Sequence, residues 1–128
     1  MDDQKRRDEG MAQRRKVLGN AWVDKSLTNR NSFNTDFQDM ITRYAWGEIW
    51  SRPGLPRQTR SLITLAMMVA LNRGDEFRMH VRAALNNKVS REEIQETLLQ
   101  CAIYCGVPAA NAAFQVAQEV FTEIDDAS

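Results

Sequence analysis

Proline occurs only at positions 53, 56 and 108 of this 128-residue chain, and that sparing use constrains the fold more than any other feature. A proline ring removes a backbone donor and clashes with the preceding turn, so long proline-free stretches are where helices can run. Within those stretches the apolar residues recur at helical spacing. The reading is all-α, with about six helices.

The segment from Asp3 to about Leu18 carries Met11, Val17 and Leu18 but little other apolar bulk. Such a helix needs a partner surface, and residues 1–20 are expected at a subunit interface. Asn20 to Asn34 is polar and mixed. Thr35 can then cap a helix on which Phe37, Met40, Ile41, Tyr44, Ala45 and Glu48 share a face, ending near Trp50. Ser51-Arg52-Pro53-Gly54-Leu55-Pro56 reads as a turn. From Gln58, a helix through Leu62, Ile63, Leu65, Ala66, Met67, Val69 and Ala70 is apolar almost all round and is expected at the centre of the core. Gly74 ends or kinks it. Asp75 looks like the cap of the next helix, which runs to about Asn86 with Phe77, Val81, Ala84 and Leu85 inward and Arg78 and Arg82 outward. Ser90-Arg91-Glu92-Glu93 has the Ser-x-x-Glu form of a capping box. The helix it starts carries Ile94, Leu98, Cys101 and Cys105 and breaks at Gly106-Val107-Pro108, before a last helix with Ala113, Phe114, Ala117, Val120, Phe121 and Ile124. Residues 1–128 are expected to form one domain, because a chain of this length can bury roughly two-thirds of its unfolded surface.

Seventeen basic residues balance 17 acidic ones, so bulk charge supplies no reason to expect nucleic acid or an anionic membrane as partner. No apolar run approaches the length of a membrane span and the first residues lack a signal-peptide core, which predicts a cytoplasmic protein. Cys101 and Cys105 are four apart and read as small core residues, since their spacing is not that of a redox dithiol. One histidine and no Cys/His cluster argue against a zinc site.

Several polar residues fall near apolar faces in this helical reading: Arg43, Glu48, Arg60, Arg73, Glu76 and His80. Glu76 and His80 are four apart on one helix, within reach of each other. A carboxylate beside an imidazole raises its pKa and fixes its tautomer, which prepares a general acid near neutral pH. The same spacing equally describes an ordinary surface pair. Spacing alone does not decide.

Five motifs in order carry a resemblance: Arg43-Tyr44-Ala45-Trp46-Gly47-Glu48-Ile49-Trp50, Arg52-Pro53-Gly54-Leu55, Arg60-Ser61-Leu62-Ile63, Phe77-Arg78-Met79-His80-Val81-Arg82-Ala83-Ala84 and Tyr104-Cys105-Gly106-Val107-Pro108-Ala109-Ala110-Asn111. From about Gly10 to Phe121 the chain resembles the 4-carboxymuconolactone decarboxylase family, within the wider alkylhydroperoxidase-D-like group of helical proteins. The resemblance implies a homo-oligomer, trimer or hexamer. It also implies a carboxy-lyase that acts on a lactone dicarboxylate in protocatechuate catabolism, by the β-ketoadipate pathway, without metal or other cofactor. His80 is then the expected proton or oxyanion donor, with Glu76 or Glu48 to orient it and keep it charged. Arg43, Arg60 and Arg73 are candidates to hold the substrate carboxylates, since a guanidinium fork suits that group. Tyr44 and Trp46 are packing residues whose polar atoms can line the pocket. The wider group also contains thiol-dependent redox proteins, in which a glutamate and two cysteines precede the histidine. Those positions are Ser61, Arg73 and Glu76 here, so the redox alternative loses its dithiol. A non-catalytic oligomer that binds a small acid is the third reading.

Overall fold

A computed structural model describes residues 2–128, and among them every regular element is helical. The elements are α1 (Asp3–Leu18), α2 (Asn20–Thr28), α3 (Thr35–Ile41), a π-helical segment (Thr42–Ile49), α4 (Arg57–Ala70), α5 (Gly74–Asn86), α6 (Arg91–Tyr104) and α7 (Val107–Ala127). They divide into a first unit ending at Arg57 and a second spanning Gln58–Ser128.

In the first unit, α1 packs closely on the π-helical segment. The contact is made by backbone as much as by side chains. A Cβ on Gly10 would overlap the Thr42 carbonyl oxygen, and one on Gly47 would overlap the carbonyl oxygen of Arg6. Only glycine lets two helices approach so closely at both places. The widened turn follows directly from α3, and the Trp50 N–H donates to the Ala45 carbonyl at 2.9 Å, five residues back. This shifts the face that the sequence pattern predicts. Thr42, Trp46 and Gly47 are buried, whereas Phe37, Met40 and Tyr44 remain exposed. The stretch read as polar and mixed contains α2, whose Val23 is fully buried. Thr35 is the first residue of α3 rather than its cap. Its hydroxyl donates to the Asn31 carbonyl at 2.6 Å, and Asn34 holds the cap position.

The second unit has a continuous apolar core of Leu65, Val69, Phe77, Val81, Ala84, Val89, Ile94, Leu98, Cys101, Ala113, Ala117 and Val120. All but Val89, which sits in the turn between α5 and α6, come from the four helices and fall on single stripes at helical spacing. α4 is less central than its composition suggests. Ser61, Leu65 and Val69 are buried, but Ile63 and Met67 face outward. α5 begins at Gly74, with Arg73 at the cap position and Asp75 within the first turn. Burying no large group, Asp75 there favours the positive end of the helix dipole. α6 starts with a complete capping box: the Ser90 hydroxyl accepts from the Glu93 N–H at 3.0 Å, and the Glu93 carboxylate accepts from the Ser90 N–H at 2.9 Å. Arg78 and Arg82 do point outward, where they pair with Glu119 and Glu123 of α7.

Candidate active site

Within the second unit, α5 presents Glu76 and His80 one turn apart. Glu76 is exposed and His80 is half-buried. Burial dominates the imidazole and lowers its pKa to about 4, while the Glu76 charge opposes that shift without overcoming it. His80 is therefore neutral at pH 7, not the imidazolium that the Glu76 spacing suggested. The reason is that an exposed carboxylate is screened by water, whereas desolvation acts on the charged ring directly. A neutral imidazole offers one N–H donor and one acceptor nitrogen.

Arg73, exposed at the start of α5, lines a recess with Met68, Val69, Phe77 and Ala113. Its volume is about 50 Å³, well under the roughly 300 Å³ at which small-molecule sites begin. Arg60 lies on α4, half-buried. The second unit also holds both cysteines near the end of α6. Cys101 is buried and its thiol is pushed up by burial and by the hydrogen-bonded Cys105. A thiol shifted that way is a poor nucleophile.

The remaining expected residues lie on the π-helical segment of the first unit. Glu48 accepts from Arg6 Nε at 3.4 Å and borders an open recess of about 190 Å³ with Glu9, Ser51 and Arg52. Tyr44 has two guanidinium groups over its ring, with Arg6 at 5.3 Å and Arg43 at 5.8 Å from the ring centre. Trp46 is buried and stacks on Trp50 at 5.2 Å. The structure thus groups Arg43, Tyr44, Trp46 and Glu48 in one unit and Arg60, Arg73, Glu76 and His80 in the other.

Two arginines that sequence reasoning passed over matter here. Arg6 links Glu48 to the Tyr44 ring. Arg14 is buried in the first unit with only 6% of its surface exposed. Its signal in the sequence was available: it lies one turn after Gly10 and just before Val17, on the buried face of α1.

Among the described residues the fold is all-helical, with its one histidine half-buried on α5. The family model described as "Carboxymuconolactone decarboxylase family" matches residues 35–119, and the chain belongs to that family. It is 53% identical to a protein of Acinetobacter baylyi named 4-carboxymuconolactone decarboxylase, over 97% of this chain and 92% of the relative. It is also 40% identical to a nitrosuccinic acid decarboxylase of Metarhizium robertsii, over 93% and 83% of the two chains. Among the described residues no helix is long and apolar enough to cross a membrane.

Proposed function

We propose that this chain catalyses the decarboxylation of 4-carboxymuconolactone to the β-ketoadipate enol-lactone and carbon dioxide, in the cytoplasm, as a step of protocatechuate breakdown. The observation that carries this reading is the 53% identity, over nearly the full length of both chains, to the relative of that name. A small-molecule acid is the substrate.

The chemistry suits the residues. When the ring carboxylate leaves, the electron pair of the breaking carbon–carbon bond moves through the conjugated double bond into the lactone carbonyl. The substrate is its own electron sink, so the task that a cofactor often performs falls to the lactone. One proton then adds to the ring carbon beside that carbonyl. The protein must hold the carboxylates and stabilise the oxygen on which charge develops. His80 takes the second role. In its neutral form its N–H donates to the forming oxyanion, and the depressed pKa favours this over delivery of a proton from a resting imidazolium. Glu76 orients the ring from one turn away. Arg43, Arg60 and Arg73 are the carboxylate-binding candidates, Glu48 a second acidic group of the site, and Tyr44 and Trp46 its lining. The working form is a homo-oligomer. The sparse apolar content of α1 and the outward-facing Ile63, Met67, Ile103 and Tyr104 support that reading.

The test is turnover of the purified lactone, followed by its ultraviolet loss and by release of carbon dioxide. The parent protein consumes it, and His80→Ala keeps its helical spectrum and assembly while losing at least about a hundredfold in kcat. A His80→Ala protein that turns over at the parent rate overturns the role of His80. A parent that ignores the lactone but decarboxylates nitrosuccinate overturns the choice of substrate.

A further inference from the structure

Among the described residues, the first unit contains a buried cation with no counter-ion. Gly10, Arg14 and Val17 form the buried face of α1, and Arg14 is only 6% exposed. Its Nε is sealed from solvent and makes no hydrogen bond. Among the described residues no carboxylate pairs with it. The charges that act on it are those of Arg30 and Arg15, and both repel it.

The carboxylates paired with its neighbouring cations are engaged there. Asp24 pairs with Arg15 at 2.9 Å. Asp39 pairs with Arg30 and also faces Arg7 at 3.6 Å. Arg30 Nε is itself buried without a hydrogen-bond partner. The surplus is general to the unit: eleven basic residues stand against eight acidic ones up to Arg57, and six against nine thereafter. A guanidinium does not escape by losing its proton. A buried charge of this kind calls for an opposite one.

We propose that Arg14, with Arg30 beside it, receives a carboxylate of the small organic acid on which the enzyme acts; this rests on the decarboxylase reading above. The planar fork suits a carboxylate, which it binds through two parallel hydrogen bonds. Arg14 keeps 6% of its surface exposed, and a small acid is a carboxylate compact enough to approach it there. The single charge of Arg14 matches one carboxylate. Decarboxylation needs that asymmetry, because the carboxylate that stays should be held firmly and the one that leaves should not.

The experiment uses the full-length protein, with Arg14→Met to keep the apolar stem and Arg14→Lys to keep the charge without the fork. Three readings are taken: KM and kcat on the lactone, thermal stabilisation by succinate as a non-reacting dicarboxylate, and mass by light scattering. Arg14→Met is expected to raise KM about tenfold or more with a smaller change in kcat. It also loses the succinate shift while its mass stays that of the parent, and Arg14→Lys falls between. Parent values of KM and of the succinate shift in Arg14→Met overturn the proposal. So does a smaller assembly whose KM recovers at high protein concentration, which assigns the missing carboxylate to a second copy. If the parent does not turn over the lactone, the decarboxylase reading fails, and the succinate shift alone still decides whether Arg14 binds a carboxylate.

Discussion

The two units of this chain solve the same problem, burying enough surface to hold helices together, in opposite ways. The second does it with side chains. Twelve buried residues, eleven from α4, α5, α6 and α7 and Val89 from the turn before α6, form one apolar cluster, and charged side chains pair at the surface, as in Arg78–Glu119 and Arg91–Asp125. The first unit buries few apolar side chains, chiefly Val17, Val23 and Trp46. It relies instead on backbone meeting backbone at Gly10 and Gly47 and on ion pairs that link α1 to later residues, as in Arg6–Glu48 and Arg7–Asp39. Apolar burial is non-directional and tolerates some error in position. Backbone contact tolerates none.

That contrast can be broken most forcefully at Gly10. Gly10→Ala inserts a methyl group into the Thr42 carbonyl, which is fixed backbone, so the contact between α1 and the π-helical segment must open. The expected loss is about 4 kcal/mol or more, read as hydrogen exchange spreading through α1 and the π-helical segment while the amides of α5 to α7 stay protected. Leu98→Ala, in the other unit, removes a fully buried side chain and should cost about 2 to 5 kcal/mol. Its exchange is expected to rise across α4 to α7 together. Equal, global exchange in both variants would mean that the two units do not differ in this way.

Acid gives a smaller lever on the second unit alone. His80 titrates near 4 when folded and near 6.5 when unfolded. Between those values the unfolded chain binds the extra proton, so stability falls as the pH falls, by about 3 kcal/mol over the whole window. Denaturant melts from pH 7 to pH 4 should show this slope, and His80→Gln should flatten it. An unchanged slope in His80→Gln would assign the acid sensitivity to the carboxylates instead. The smallest effect is expected at the start of α6. Ser90→Ala removes the acceptor for the Glu93 N–H and should lower stability by about 1 kcal/mol, with thermal unfolding as the check.

The same contrast explains which features could be read in advance. In the second unit the sequence pattern works, because each helix buries a stripe of its own apolar residues. Phe77, Val81 and Ala84 are inward as expected, and Ser90 and Glu93 form their cap within four residues of chain. In the first unit the pattern fails. Phe37, Met40 and Tyr44 have the spacing of a buried face but stay exposed, because the π turn rephases the helix and the glycine contact selects Thr42, Trp46 and Gly47 instead. The candidate site divides in the same manner. His80 and Glu76 share a helix, so their proximity follows from spacing. The charge state of His80 does not, since burial outweighs a neighbour that water screens.

By itself, the sequence determined that this chain is helical, where most helices run and to which family it belongs, because helical periodicity, caps and ordered motifs are local and survive in a string of letters. It also placed the lone histidine at the centre of the expected chemistry. Only the tertiary structure decided that His80 rests neutral, that Gly10 and Gly47 carry a helix crossing and that Arg14 is buried without an anion. Each of those depends on what surrounds a residue in space: on solvent excluded by other helices, on a carbonyl brought in from 32 residues away, or on neighbouring carboxylates already engaged elsewhere.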